Sequence, residues 1–145
     1  MSSWLAIDHG TVRIGLAAGN TESGIASPLE VIPAVPLDSA IARIRELAAQ
    51  YRAPGVVVGL PLNMDGSEGP QARLARDMAV ALANATGLDV RLFDERLSSF
   101  AADQVLAGQL TRKKKKARQD AIAAAAILTD FFAADGPATA AKAIP

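Results

Sequence analysis

The chain has 145 residues, half of them apolar, which is enough for one domain with a substantial core. No cysteine and a single histidine exclude disulfides, thiolate metal sites and His-rich zinc centres. Formal net charge is zero, but Arg112, Lys113, Lys114, Lys115, Lys116 and Arg118 put six cations into seven residues; the remaining chain has nine basic residues against fifteen acidic ones, a segregation that suits a polyphosphate partner.

The first residues carry no basic leader and reach Asp8 after four apolar positions, so they do not read as a signal peptide. No apolar run approaches the roughly eighteen residues of a membrane span. A cytoplasmic protein without membrane contact is expected. Trp4–Asp8 reads as a strand, His9-Gly10 as a turn and Arg13–Ala18 as the returning strand of a hairpin; Ser27–Ile32 is a third strand closed by Pro33. Ile41, Ile44, Leu47, Ala48 and Tyr51 then recur at helical spacing behind Asp38, a candidate N-cap. The β-branched run Val56–Val58 ends at Gly59-Leu60-Pro61. A second helix starts near Pro70, with Leu74, Met78, Ala81 and Ala85 expected on its buried face and Gly87 as its stop. Val90–Phe93 is a further strand that runs into Asp94-Glu95, and a short helix is expected from Ser98 or Ser99. The cationic run follows, expected to be mobile because its charges repel. An Ala-rich helix spans about 117–133, and residues 137–145, without periodicity, read as a flexible tail on a domain of residues 1–136.

This order predicts an α/β fold with a mixed five-stranded sheet: β1–β3 as an antiparallel meander, β4 and β5 parallel to β1, and helices on both faces. Such a topology is that of the RNase H-like class. In open α/β sheets, chemistry gathers at the carboxyl ends of the strands. Asp8 closes the first apolar strand and Glu95 the last. Asp120 shares a helix face with Ala124, Ile127 and Phe131, the face expected to pack on the sheet. An ionised carboxylate there is costly unless it is paired or holds a cation, and converging carboxylates select hard ions such as Mg²⁺ or Mn²⁺. Taken singly, each has an ordinary explanation as a turn residue, a helix-dipole partner or, for Glu95, an ion pair with Arg91 or Arg96.

Four motifs then come in order: Ala6-Ile7-Asp8-His9-Gly10-Thr11-Val12-Arg13-Ile14-Gly15-Leu16-Ala17, Val58-Gly59-Leu60-Pro61-Leu62-Asn63-Met64-Asp65-Gly66-Ser67, Asp94-Glu95-Arg96-Leu97-Ser98-Ser99, and Asp120 with the Ala-rich sequence through Leu128. Together they resemble the YqgF/RuvX family, described as Holliday-junction resolvases and as pre-16S rRNA nucleases, over nearly the whole chain from Leu5 to about Phe132. The resemblance implies an RNase H-like fold, an acidic centre of Asp8, Glu95 and Asp120 as catalytic residues and metal ligands, and phosphodiester hydrolysis with two Mg²⁺ or Mn²⁺ ions. Four positions depart from the family's usual pattern. His9 replaces an aromatic residue, Val12 a lysine, and Gly19-Asn20 a Ser-Asp pair, so that a possible auxiliary carboxylate is missing at Asn20.

Other candidates line the same edge. The Asn63–Ser67 loop leaves a central strand for a helix and offers backbone N–H groups, with Asn63 and Ser67, to a phosphate; an ordinary turn capped by Asp65 or Ser67 is the alternative. Arg13 and Arg96 are placed to contact a phosphate or to orient Asp8 and Glu95, with a structural ion pair the alternative for Arg13. His9 could assist proton transfer, or simply form the turn. Arg112, Lys113, Lys114, Lys115, Lys116 and Arg118 would grip phosphates in a salt-dependent way. The expected partner is branched DNA or structured pre-rRNA, and a junction-cutting enzyme would act as a homodimer. Two rivals remain at this stage: a non-catalytic RNA-binding or ribosome-assembly factor, and an actin-like nucleotide-binding domain suggested by the first hairpin.

Overall fold

The computed structural model describes residues 2–95 and 112–144, with backbone alone for 112–118. Strands β1 (Ser3–His9), β2 (Arg13–Asn20) and β3 (Ala26–Pro33) form the antiparallel meander. After α1 (Leu37–Gln50) the chain enters β4 (Gly55–Leu60), which pairs parallel to β1, and after α2 (Pro70–Thr86) it enters β5 (Asp89–Asp94), parallel to β4. Helix α3 (Arg112–Ala133), a short α4 (Gly136–Thr139) and β6 (Ala141–Lys142) follow.

The sheet order is β3-β2-β1-β4-β5-β6, one strand more than the sequence predicts. The extra strand is two residues of β6 beside Arg91 and Leu92, too short to leave a period-2 pattern. Two hydrogen bonds tie that segment back: Ala143 N–H donates to the Val90 carbonyl at 2.8 Å, and the Arg91 side chain donates through Nη1 to the Ala140 carbonyl at 2.8 Å.

Because successive strand residues face opposite sides, the sheet divides the core in two. Leu5, Ile7, Ile14, Leu16, Val56, Val58 and Leu92 pack beneath α1 and α2. Trp4, Ala6, Ala17, Val57 and Phe93 pack against Ala124, Ile127, Leu128 and Phe131 of α3. Trp4, Phe93 and Phe132 surround the fully buried Phe131, with ring centroids 5.2–6.2 Å away. Helices therefore cover both faces. Among the described residues, no helix is long and apolar enough to cross a membrane.

Three local expectations are corrected. Helix α1 begins one residue before Asp38: Pro36 is the N-cap, in extended conformation, and Asp38 sits in the first turn where its charge complements the helix dipole. In α2 the buried stripe is Ala72, Ala75, Met78, Ala79, Leu82 and Ala83, whereas Leu74 is 44% exposed and Ala85 is exposed. Close approach of α2 to the sheet selects alanines, which a search for bulky apolar residues passes over. Helix α3 has already begun at Arg112, so the cationic run is helical in its backbone; Lys and Arg are good helix formers despite their mutual repulsion. The short helix expected near Ser98 lies outside the described residues.

Candidate acidic centre

The parallel register sets the first two carboxylates at one edge. Ile7 is level with Val58, and Val58 with Leu92, so the next residues out are Asp8, Gly59 and Phe93. Asp8 shares its strand face with Trp4 and Ala6, and so points to the α3 side. Glu95 lies two residues past Phe93, on the same side. Its longer side chain reaches back across Gly59: a Cβ at position 59 would stand 2.5 Å from Glu95 Oε1 and 2.7 Å from Ile127 Cδ1. The absent side chain at Gly59 is the space that Glu95 occupies.

Asp8 and Glu95 are hydrogen-bonded side chain to side chain. Two carboxylates can do this only by sharing a proton. Burial raises the Glu95 carboxyl first, and the Asp8 charge, the bond to Asp8 and the Asp94 charge add to it, pushing it up to about 8. Asp8 is raised by burial and by the Asp120 charge, while the bond from Glu95 lowers it. The two carboxyls thus hold one proton between them.

Asp120 arrives from the helix. Gly15 is the register partner of Asp8 on β2, and a Cβ at position 15 would collide with the Asp120 carbonyl and the Ala121 nitrogen. The α3 backbone thus rests directly on β2 beside Asp8. The Asp120 side chain takes Arg13 as its partner, Arg13 Nε donating to Asp120 Oδ2 at 2.9 Å, with both side chains a quarter to a third exposed. Gly10, Thr11, Val12, Arg13 and Asp120 line a cavity of about 200 Å³. Among the described residues, no three Asp, Glu, His or Cys side chains are so arranged that together they could hold an ion. Asp8 and Glu95 form a pair, with Asp120 beside them on its own partner.

The remaining candidates separate. Arg13 makes a structural ion pair and also lines the cavity. Asn63 and Ser67 are bound within their own loop: Asn63 Nδ2 donates to Ser67 Oγ at 3.0 Å, and Ser67 N–H and Oγ donate to Asp65 Oδ1 at 2.9 and 2.6 Å. Neither Asp65 nor Ser67 caps α2, whose N-cap is Gly69. His9 falls on the opposite sheet face from Asp8 by strand alternation; burial lowers its pKa, and among the described residues its buried Nδ1 has no hydrogen-bond partner. Asn20 stands opposite Ser3 at the far end of β1, roughly 16 Å along the strand from Asp8, and accepts from Ser23. It has no place at this edge, and the missing auxiliary carboxylate does not bear on the acidic pair. Arg96 lies outside the described residues, as do the side chains of Arg112, Lys113, Lys114, Lys115, Lys116 and Arg118. The residues that sequence reasoning left without a role are Gly15 and Gly59; both stand within the quoted motifs, but a close approach leaves no chemical signal in a sequence.

A mixed sheet of this order, with helices on both faces, defines an RNase H-like α/β protein. The same fold occurs in Thermus thermophilus RuvC in complex with Holliday junction substrate, which matches at a TM-score of 0.61 and 19% identity over 98% of this chain and 99% of that one. Sequence comparison goes further. The profile of the RuvX family, described as Holliday junction resolvase, matches residues 2–134, and the chain belongs to that family. A Chloroflexus aggregans protein named "Putative pre-16S rRNA nuclease" is 44% identical over 129 residues, covering 88% of this chain and 91% of its own. A Rhodopirellula baltica protein of the same name is 42% identical over 130 residues, covering 89% and 75%.

Proposed function

We propose that this protein is a divalent-metal-dependent nuclease that hydrolyses phosphodiesters in structured nucleic acid, with Asp8, Glu95 and Asp120 as its acidic centre. The observation that carries this reading is the Asp8–Glu95 pair, two carboxylates forced into one partly buried site with a third beside them. The donor chemistry suits a hard cation, since all donors are oxygens and the shared proton stands in for the positive charge they require, with Asp120 having to leave Arg13 to complete a set of three. When bound, Mg²⁺ or Mn²⁺, as two ions, supplies a polarised water and a counter-charge for the leaving oxygen.

The chain's own residues do the rest. Asp8 and Glu95 give up their proton and present two anionic oxygens from rigid strand ends. Asp120 adds a third from a helix locked against β2. Arg13 lines the cavity at the edge of this group and is placed to take a phosphate oxygen. Arg96, the Asn63–Ser67 loop and the cationic run are the further phosphate-holding elements. The run occupies the first turns of α3, within roughly 12 Å of helix before Asp120, so phosphate grip and acidic centre share one element.

The names of relatives above 40% identity favour an rRNA precursor as substrate; the likeness to RuvC speaks for the fold. The experiment is side-by-side cleavage of a pre-16S rRNA fragment and a mobile four-way junction, with Mg²⁺ or Mn²⁺, by wild type and Asp120→Asn. Cleavage of the RNA by wild type alone supports the reading. Symmetric junction cutting by a homodimer transfers the activity to DNA. Equal activity from an Asp8→Asn protein would remove the acidic centre from the mechanism, and no cleavage of either substrate leaves a non-catalytic RNA-binding factor. The site is expected to work in the cytoplasm.

A further inference from the structure

Arg13 lies beside the acidic centre with a third of its side chain open to solvent. Its Nε donates to Asp120 Oδ2, and among the described residues nothing else engages the guanidinium. A guanidinium bound through Nε still has the fork of its two terminal nitrogens to offer, the edge that matches two oxygens of a phosphate. The cavity that Arg13 and Asp120 line gives such a group room.

Asp120 has little freedom except in its side chain. Its backbone lies against Gly15, with no room even for a Cβ, and Gly15 is the register partner of Asp8. The Asp120 carboxylate is thus held between two neighbours, Arg13 and the Asp8–Glu95 pair. A partly exposed ion pair is weak enough to change partners.

We propose that Asp120 is a contested ligand. Arg13 and a divalent cation compete for its carboxylate, and a nucleic-acid phosphate settling on the Arg13 fork tips Asp120 toward the cation. The inference rests on the metal-centre reading above and makes Arg13 a positioning residue, acting on the cation through Asp120. By linkage, phosphate and cation strengthen each other's binding by the same factor. Cleavage is thereby restricted to the complex in which substrate has already arrived.

The test is Mn²⁺ affinity of the full chain, read by electron paramagnetic resonance or titration calorimetry, with sulfate as the phosphate mimic against chloride at matched ionic strength. Arg13→Gln is expected to raise Mn²⁺ affinity about fivefold, the scale of one partly exposed ion pair. That gain disappears in an Asp120→Asn background. Sulfate raises Mn²⁺ affinity in wild type and leaves Arg13→Gln unchanged. Should Arg13→Gln fail to fold, Arg13→Lys keeps the charge without the fork and is expected to lose the sulfate effect. A gain that persists undiminished beside Asp120→Asn would be simple removal of a positive charge, and would overturn the proposal. So would sulfate leaving wild type unmoved. Mn²⁺ binding that needs Asp8 but ignores Arg13 overturns this inference alone, whereas Mn²⁺ binding that Asp8→Asn does not disturb removes the metal centre as well.

Discussion

Glu95→Gln replaces one member of the proton-sharing pair with an amide that donates the same kind of bond to Asp8 without titrating. In the folded protein Glu95 is raised from 4.5 to about 8, first by burial and then by the Asp8 charge. Between those values the unfolded chain releases a proton that the folded chain keeps, so stability falls as pH rises through this window. At roughly 1.4 kcal/mol per unit the ceiling is about 5 kcal/mol; residual solvent access and relaxation bring the expected loss from pH 5 to pH 8 to about 2–4 kcal/mol. His9 works in the opposite sense. Burial lowers its pKa, so its contribution rises with pH around 6.5, but it is common to both proteins and cancels in the difference. The Glu30 and Glu68 carboxyls are lowered by their arginine partners and titrate below the window. The assay is urea denaturation in EDTA at pH 5, 6, 7 and 8 for wild type and Glu95→Gln. Wild type should lose about 2–4 kcal/mol more than Glu95→Gln across the series, the variant keeping only the slopes that Asp8 and His9 contribute. Repeating the wild-type series with Mn²⁺ should flatten it, because a cation replaces the proton. Parallel curves for the two proteins in EDTA would refute the shared-proton reasoning.

Gly59→Ala puts a Cβ 2.5 Å from Glu95 Oε1 and should cost about 1–3 kcal/mol while weakening Mn²⁺ binding, since Glu95 must swing away from Asp8; denaturation and calorimetry check the two effects. Gly15→Ala meets helix backbone rather than a movable side chain, so its stability loss in urea should exceed that of Gly59→Ala. Leu74→Ala should change stability by less than about 0.5 kcal/mol, and Leu82→Ala should cost about 2–4 kcal/mol, a contrast that reports which face of α2 is buried. Replacing Lys113, Lys114, Lys115 and Lys116 by Gln should lower nucleic-acid affinity and reduce the slope of log affinity against log salt by about one unit for each phosphate no longer neutralised.

The strands at Trp4, Val56 and Val90 were legible because strands buried on both faces are apolar at nearly every position, and the hairpin because its turn residues bracket two such runs. Parallel order and two-sided helix cover followed from the alternation of elements. The α2 face was misplaced because its buried stripe is mostly alanine, which carries little hydrophobic weight per residue, while Leu74 carries much and faces out. Strand β6 left no trace, since two residues cannot show a period. At the site, Asp8 and Glu95 could be placed from strand ends and Asp120 from its helix face. The Arg13 bond to Asp120 could not, because it joins residues 107 apart in sequence through a packing contact at Gly15.

The two glycines also bear on why the carboxylates are there at all. A structural ion pair stabilises the fold that holds it, as Arg43 does with Glu30 and Arg76 with Glu68. Asp8 and Glu95 do the reverse: burial and repulsion among neighbouring carboxylates raise both carboxyls, Glu95 to about 8, and the fold holds them together through packing elsewhere, with β1, β4 and β5 in register and α3 seated on Gly15. Leaving out a side chain at Gly59 sacrifices core packing in order to bring Glu95 toward Asp8 rather than away from it. A sheet edge under selection for stability alone would fill that gap with an apolar side chain and end its strands in neutral residues. An arrangement that spends stability to crowd like charges is the expected signature of a site tuned for binding a cation or for chemistry.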